Sequence, residues 1–153
     1  MRDLIIMLTS LGLTLWLAGC DRKTEIPKAA SPQACVAVDL GQAAEAYARS
    51  DLPVDQVVTV EGMPHPTYFG WNQDGRKRAV SKILGTERKL LLFQEFTGES
   101  PPTRDKVTGL LRRYRDLPAD PWDAVKRGIK QQFFWDVPED AYVIMEGFVP
   151  EGC

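Results

Sequence analysis

A single histidine, His65, bounds the catalytic chemistry that this chain of 153 residues can offer. A Ser-His-Asp or Cys-His catalyst has to draw its general base from that one imidazole. His65 stands between Pro64 and Pro66, in a stiff stretch that reads as an exposed loop. It could serve a binding site there; a loop histidine with no role is the simpler reading. A structural zinc needs several His or Cys ligands, so no metal is expected, and no cofactor is called for. Carboxylates are plentiful: Glu95, Glu99, Asp136, Glu139, Asp140 and Glu146. A glycosidase-type catalyst needs two of them across an open cleft at a defined separation. Glu146 stands out because it sits in an apolar stretch, and a buried carboxylate must be paired or neutral. An edge position or a salt bridge to an arginine accounts for it more simply than catalysis. The glycines are scattered and form no phosphate-cradling loop. A binding role is therefore favoured over an enzymatic one.

Two basic clusters and one aromatic run are candidates for a binding surface. Arg76-Lys77-Arg78 with Lys82 is the first cluster. Arg104, Lys106, Arg112, Arg113, Arg115, Lys126, Arg127 and Lys130 form the second, on two segments expected to be helical. On a shared face they could meet anionic lipid headgroups, at about 1 kcal/mol per residue near the surface, an anionic glycan, or a partner's acidic face. Asp105, Asp116 and Asp123 interleave with them, as on an ordinary solvated face. Tyr68-Phe69-Gly70-Trp71, with Trp135 elsewhere, could anchor a partner or stack on a sugar; covering the core is the commoner role. The candidate surface is thus Tyr68, Phe69, Trp71, Arg112, Arg113, Arg115, Lys126, Arg127 and Lys130. With 19 Lys+Arg against 21 Asp+Glu, the net charge of -2 gives no whole-chain basic footprint, so nucleic acid is not an expected partner.

These residues need elements to position them. A hydrophobic content of 44% with 26% charged residues fits a packed globular domain. Residues 39–50 read as a short helix capped by Asp39, with Gln42 three residues on and alanines at 43, 44, 46 and 48. Residues 56–63 are strand-like, with β-branched residues from 57 to 60, and 64–75 is a loop by composition. Residues 77–84 and 89–96 predict a hairpin about Gly85-Thr86-Glu87. Residues 100–116 predict a helix opened by two prolines, with Val107, Leu110, Leu111 and Tyr114 on one face. A second helix starts at Asp120-Pro121 and carries the stripe Trp122, Val125, Ile129 and Phe133. Pro138 ends it, and 141–149 is a last strand. The expected fold is α+β: a small mixed or antiparallel sheet of about four strands with about three helices packed on it. A short five-stranded barrel is the alternative.

The first twenty residues carry the clearest signal. An apolar stretch over 4–17 follows Met1-Arg2-Asp3 and ends in Leu17-Ala18-Gly19-Cys20. It has the length of a signal-peptide core and is short for a spanning helix. The order of apolar run, small pair and cysteine resembles the lipobox of bacterial lipoproteins. That resemblance implies cleavage after Gly19, a diacylglyceryl thioether on Cys20 and acylation of its new amine. Two or three acyl chains on one residue hold a protein on a bilayer where one chain binds only marginally. Asp21 resembles the signal that retains such proteins in the inner membrane of enteric-type bacteria.

The resemblance also settles cysteine parity. With Cys20 lipidated and the chain exported, Cys35 and Cys153 remain as a pair in an oxidising compartment, and a Cys35–Cys153 disulfide is expected. It would close a loop of roughly 120 residues, for which chain entropy gives about 5 kcal/mol. The organisation is then a signal peptide over 1–19, a lipidated cysteine and flexible tether over 20–34, and a single domain over 35–153. The tether reaches on the order of 20 Å as a coil and about 45 Å when extended. The expected protein is a lipid-anchored module on the periplasmic side of the cell membrane that binds another envelope component, a protein of unstated identity. A small carboxylate enzyme acting on cell-wall or glycan substrates, or a binder of anionic lipid or glycan, is the competing reading.

Overall fold

A computed structural model describes residues 35–49, 51–151 and 153. Seven strands form one mixed sheet: β1 (Val38–Gln42), β2 (Val57–Glu61), β3 (Phe69–Gln73), β4 (Arg76–Lys82), β5 (Leu90–Phe96), β6 (Lys106–Arg113) and β7 (Tyr142–Glu146). The helices are α1 (Ala43–Ala46), a single turn, and α2 (Ala119–Phe133). Strand order is β1-β2-β6-β7-β5-β4-β3. The pairs β1–β2 and β5–β7 are parallel and the rest antiparallel.

The sheet curls back on itself. Beyond β2 the chain pairs with the end of β4: the Leu84 N–H donates to the Met63 carbonyl (3.0 Å) and the His65 N–H to the Lys82 carbonyl (2.8 Å), with Pro64 opposite Ile83. Strands β2, β6, β7, β5 and β4 thus make a small, partly open barrel. Val58, Val60, Ile83, Leu90, Leu92, Val107, Leu111 and Ile144 fill it, with Leu40, Leu52 and the α1 alanines Ala43 and Ala46 in the same cluster. Two glycines allow the tight curvature. A Cβ on Gly62 would lie 2.7 Å from the Ala43 Cβ and 2.8 Å from Ile83, and a Cβ on Gly109 would run into the β7 backbone at Met145. On the outer surface, α2 lays Trp122, Val125 and Ile129 against Val80, Leu91, Phe93 and Val143. Cys35 and Cys153 form a disulfide across 118 positions (S–S 2.03 Å), as expected from their parity.

This corrects the expected sheet of about four strands and three helices: among the described residues the sheet has seven strands and there are two α-helices. Residues 106–113 form a strand, not a helix. Val107 and Leu111 are four apart, a spacing that puts residues on one side of a helix and of a strand alike. Over 39–49 the chain holds most of β1 and one helical turn. The Asp39 carboxylate accepts the Gly41 N–H (2.9 Å), and Gly41 at φ +69° interrupts the register with β2. The segment read as a loop over 64–75 contains β3. Its turn is Asp74-Gly75, with φ of 52° and 76°, the left-handed pair that closes a two-residue hairpin. The hairpin of β4 and β5, the helix at 121–133 and the last strand lie where expected, and that strand sits at the centre of the sheet.

Candidate functional site

The expected surface residues are spread over several elements. Phe69 and Trp71 lie on β3 and pack inward: Trp71 lies 5.9 Å from Phe93 and 6.4 Å from Trp122 between ring centroids, and Phe69 rests on α2 at Gly128, where a Cβ would strike its ring. Tyr68 meets Phe96 edge-on at 6.4 Å. These aromatics cover the core. The basic residues fall on different elements, since their first segment is not a helix. Arg112 and Arg113 are on β6, and Arg115 is in the 3-10 turn Tyr114–Asp116. Lys126, Arg127 and Lys130 are on α2. Arg112 pairs with Asp55 (3.1 Å), Arg115 with Asp116 (3.8 Å) and Lys130 with Asp136 (2.9 Å). Arg76 and Arg78 are spent on Glu95 (3.0 and 2.9 Å), and Lys77 donates to the Gly98 carbonyl. Cys20, Asp21 and the tether lie outside the described residues.

Of the six expected carboxylates, Glu95, Asp136, Asp140 and Glu146 are paired, and Glu99 and Glu139 are exposed. Glu146 accepts from the Gln94 amide (2.7 Å) and faces Arg104 at 3.6 Å; Gln94 also donates to the Pro102 carbonyl, so the group ties β5, β7 and the β5–β6 connection together. Two hollows contain carboxylate pairs, Glu61 with Asp105 and Glu139 with Asp140. All four side chains are exposed, whereas a carboxylic general acid is one held away from water. Among the described residues there is no group of three or more His, Cys, Asp or Glu side chains that could hold a metal.

A different set of side chains does converge, where the barrel seam meets the end of α2. A pocket of about 390 Å³ is lined by His65 and Thr67 from the seam and by Lys82 from β4. Arg88 enters from the β4–β5 turn, and Gln132, Phe133, Phe134 and Trp135 come from the end of α2. Its lining contains no carboxylate. Among the described residues, neither Lys82 nor Arg88 has a carboxylate within ion-pair distance. Instead the Arg88 guanidinium lies 5.4 Å from the centre of the Trp135 ring, a cation–π contact that holds its donor plane in place. His65 Nδ1 accepts the Thr67 N–H (3.0 Å), which leaves Nε2 as the free ring nitrogen.

The backbone at this pocket is strained. Among the described residues, five non-glycines have left-handed φ: Asp55, Asp74, Glu87, Arg88 and Phe134. Aspartate tolerates that conformation; longer and aromatic side chains do so at a cost. Glu87 (φ 50°) and Arg88 (φ 72°) are the centre of a turn closed by the Lys89 N–H on the Thr86 carbonyl (2.9 Å). The buried Thr86 hydroxyl donates to the Ile83 carbonyl (2.7 Å), and Lys89 pairs with Asp140 (2.8 Å). That contact raises the Lys89 ammonium above its ordinary pKa and lowers the Asp140 carboxyl below its own. Phe134 caps α2 at φ 57°, a position where glycine is usual, and its side chain is 90% exposed. Strain of this kind gathers at sites with a task.

Sequence reasoning saw His65, Lys82 and Trp135 one at a time. It missed Arg88, Gln132 and Phe134. Phe134 gave one signal: it is an aromatic that falls off the apolar stripe of its helix.

Comparison with protein-family models, with curated proteins and with solved structures finds no match to this chain. No helix among the described residues is long and apolar enough to cross a membrane.

Proposed function

We propose that this chain is a lipid-anchored binding module of the bacterial envelope, attached through acylated Cys20 on the periplasmic side of the membrane. The observation that carries this reading is the Cys35–Cys153 disulfide. A disulfide persists in an oxidising compartment, and with those two thiols joined, the cysteine left over is the one that ends Leu17-Ala18-Gly19-Cys20. On this reading, acyl chains on Cys20 attach the exported domain to the bilayer. The binding role is supported by a pocket with exposed aromatic surface and with two cations that, among the described residues, have no carboxylate within ion-pair distance. Asp21 favours the inner membrane.

The test is the intact mass and N-terminal sequence of the protein recovered from the membrane fraction. The expected product lacks residues 1–19, carries fatty-acyl mass on Cys20, and yields no free thiol without a reductant. Replacement of Cys20 by Ser should leave the precursor unprocessed and without lipid. A native product that still begins at Met1 and carries no acyl mass overturns the anchor.

A further inference from the structure

We propose that the pocket at the barrel seam binds a phosphate ester, with the oxyanion between Lys82 and Arg88 and its organic group against Phe134 and Trp135. The inference does not rest on the anchor; it rests on charge, shape and strain at one place. Two cations line a concave site with no carboxylate among the lining residues. A phosphate monoester carries close to two negative charges at neutral pH and a phosphodiester carries one, so two cations can neutralise either. The Arg88 guanidinium lies over the Trp135 ring, a contact that keeps at the pocket a planar fork suited to two oxygens of one phosphate. His65 Nε2 is free because Nδ1 is occupied by Thr67, and it adds a further donor.

The aromatic side of the pocket explains why bare inorganic phosphate is not the best fit. A solvated anion site has no use for a phenylalanine that is 90% exposed at the end of a helix, in a conformation that glycine would adopt at lower cost. An organic group laid on Phe134 gives that side chain a purpose. A volume of about 390 Å³ lies at the lower end of the range for small-ligand sites, enough for a phosphate and one ring or a short glycerol-based headgroup. The same chemistry reaches an envelope protein from two sources: a free phosphorylated sugar or aryl ester, and the headgroup of a phospholipid. Leu84 and Met63, exposed and hydrogen-bonded to each other through their backbones at the seam, extend the apolar rim on which a lipid would rest.

The experiment is calorimetric titration of the full chain, in a phospholipid-free sugar detergent and a buffer without phosphate. The probes are phenyl phosphate, short-chain dihexanoyl phosphatidylglycerol, inorganic phosphate and phenol. Phenyl phosphate or the short-chain lipid should bind at one site per chain, at least about tenfold more tightly than inorganic phosphate or phenol, since both halves of the ligand are held. Tighter binding of phenyl phosphate assigns the free ester as the source; tighter binding of the lipid assigns the headgroup. Arg88→Gln and Lys82→Gln should each weaken binding by about tenfold or more. Phe134→Ala should weaken both esters and leave inorganic phosphate unchanged. No saturable binding of either ester up to about 10 mM, a range in which even weak specific contacts register, overturns the proposal. So does binding that is indifferent to Arg88→Gln and Lys82→Gln while thermal melting shows both variants folded. Neither result bears on the anchor, which is read from the mass of Cys20.

Discussion

The two faces of the curled sheet are both buried, yet they are built from different side chains. The inner face holds Val58, Val60, Leu90, Leu92, Val107, Leu111 and Ile144, with alanines of one helical turn against them. Short and branched aliphatics fill a narrow space without voids. The outer face is aromatic: Phe69, Trp71, Phe93, Tyr114 and Trp122 meet at centroid distances of 5.5 to 6.4 Å. The Tyr114 hydroxyl donates to the Trp122 carbonyl (2.8 Å), and burial pushes its phenol well above the ordinary range. The difference teaches a division of labour. The inner face secures the barrel alone, whereas the outer face fixes one helix in direction and register. The end of that helix is what delivers Phe134 and Trp135 to the Arg88 turn.

Substitutions on the two faces should have separable effects. The largest effect is expected at the inner face, from Gly109→Val. The added side chain would occupy the backbone of β7 at Met145, and cooperative thermal unfolding should be lost. Trp122→Ala should cost about 3–5 kcal/mol and Leu92→Ala about 2–5 kcal/mol in denaturant melts. The informative contrast is in ligand titration. Loss of Trp122 should weaken phenyl phosphate binding because the helix end is no longer held. Loss of Leu92 should leave binding intact at temperatures where the variant is folded. Cys153→Ser frees the last residue and should cost about 2–5 kcal/mol, with the pocket unaffected.

Smaller effects sharpen the same division. Phe134→Gly should raise stability by about 1 kcal/mol, because glycine adopts a left-handed cap without steric cost, while ester binding falls. A loss of stability instead would mark Phe134 as a packing residue. The smallest effect is expected from Asp140→Asn. The Asp140 carboxyl is lowered below its ordinary 3.8, so the pair contributes above that pH and is lost as pH falls through the lowered value. The Lys89 ammonium is raised above 10.5, so its contribution is present below that pH and is lost as pH rises through the raised value. Both groups are exposed, and thermal melts between those limits should show Asp140→Asn nearly superimposed on the unaltered chain.

Much of the outer face was legible in the residues. The stripe Trp122, Val125 and Ile129 is helical and nothing else, because three and four are spacings no strand repeats. The hairpin of β4 and β5 announced itself by apolar runs on either side of a glycine turn. The barrel was legible only in outline. Val107 and Leu111 suit both a helix and a strand, and residues buried on both faces lose the alternation that marks a sheet. The Asp74-Gly75 turn was a usable signal that composition obscured, since its prolines and glycines made the whole of 64–75 read as a loop. The pocket was the least legible part. Its residues come from 65–67, 80–82, 88 and 132–135, joined by pairing between Pro64 and Ile83. No local pattern announces a seam made by a sheet that meets itself. Cys20 is the opposite case, a short motif readable with no knowledge of the fold.

The bond between Cys35 and Cys153 turns the whole domain into a covalent ring. A protease that nicks any one exposed loop of that ring cannot shed a fragment, because both new ends stay attached through the sulfurs. Under oxidising conditions a clipped molecule would keep its full mass and every residue of its pocket, and only a second incision or a reductant would release a piece.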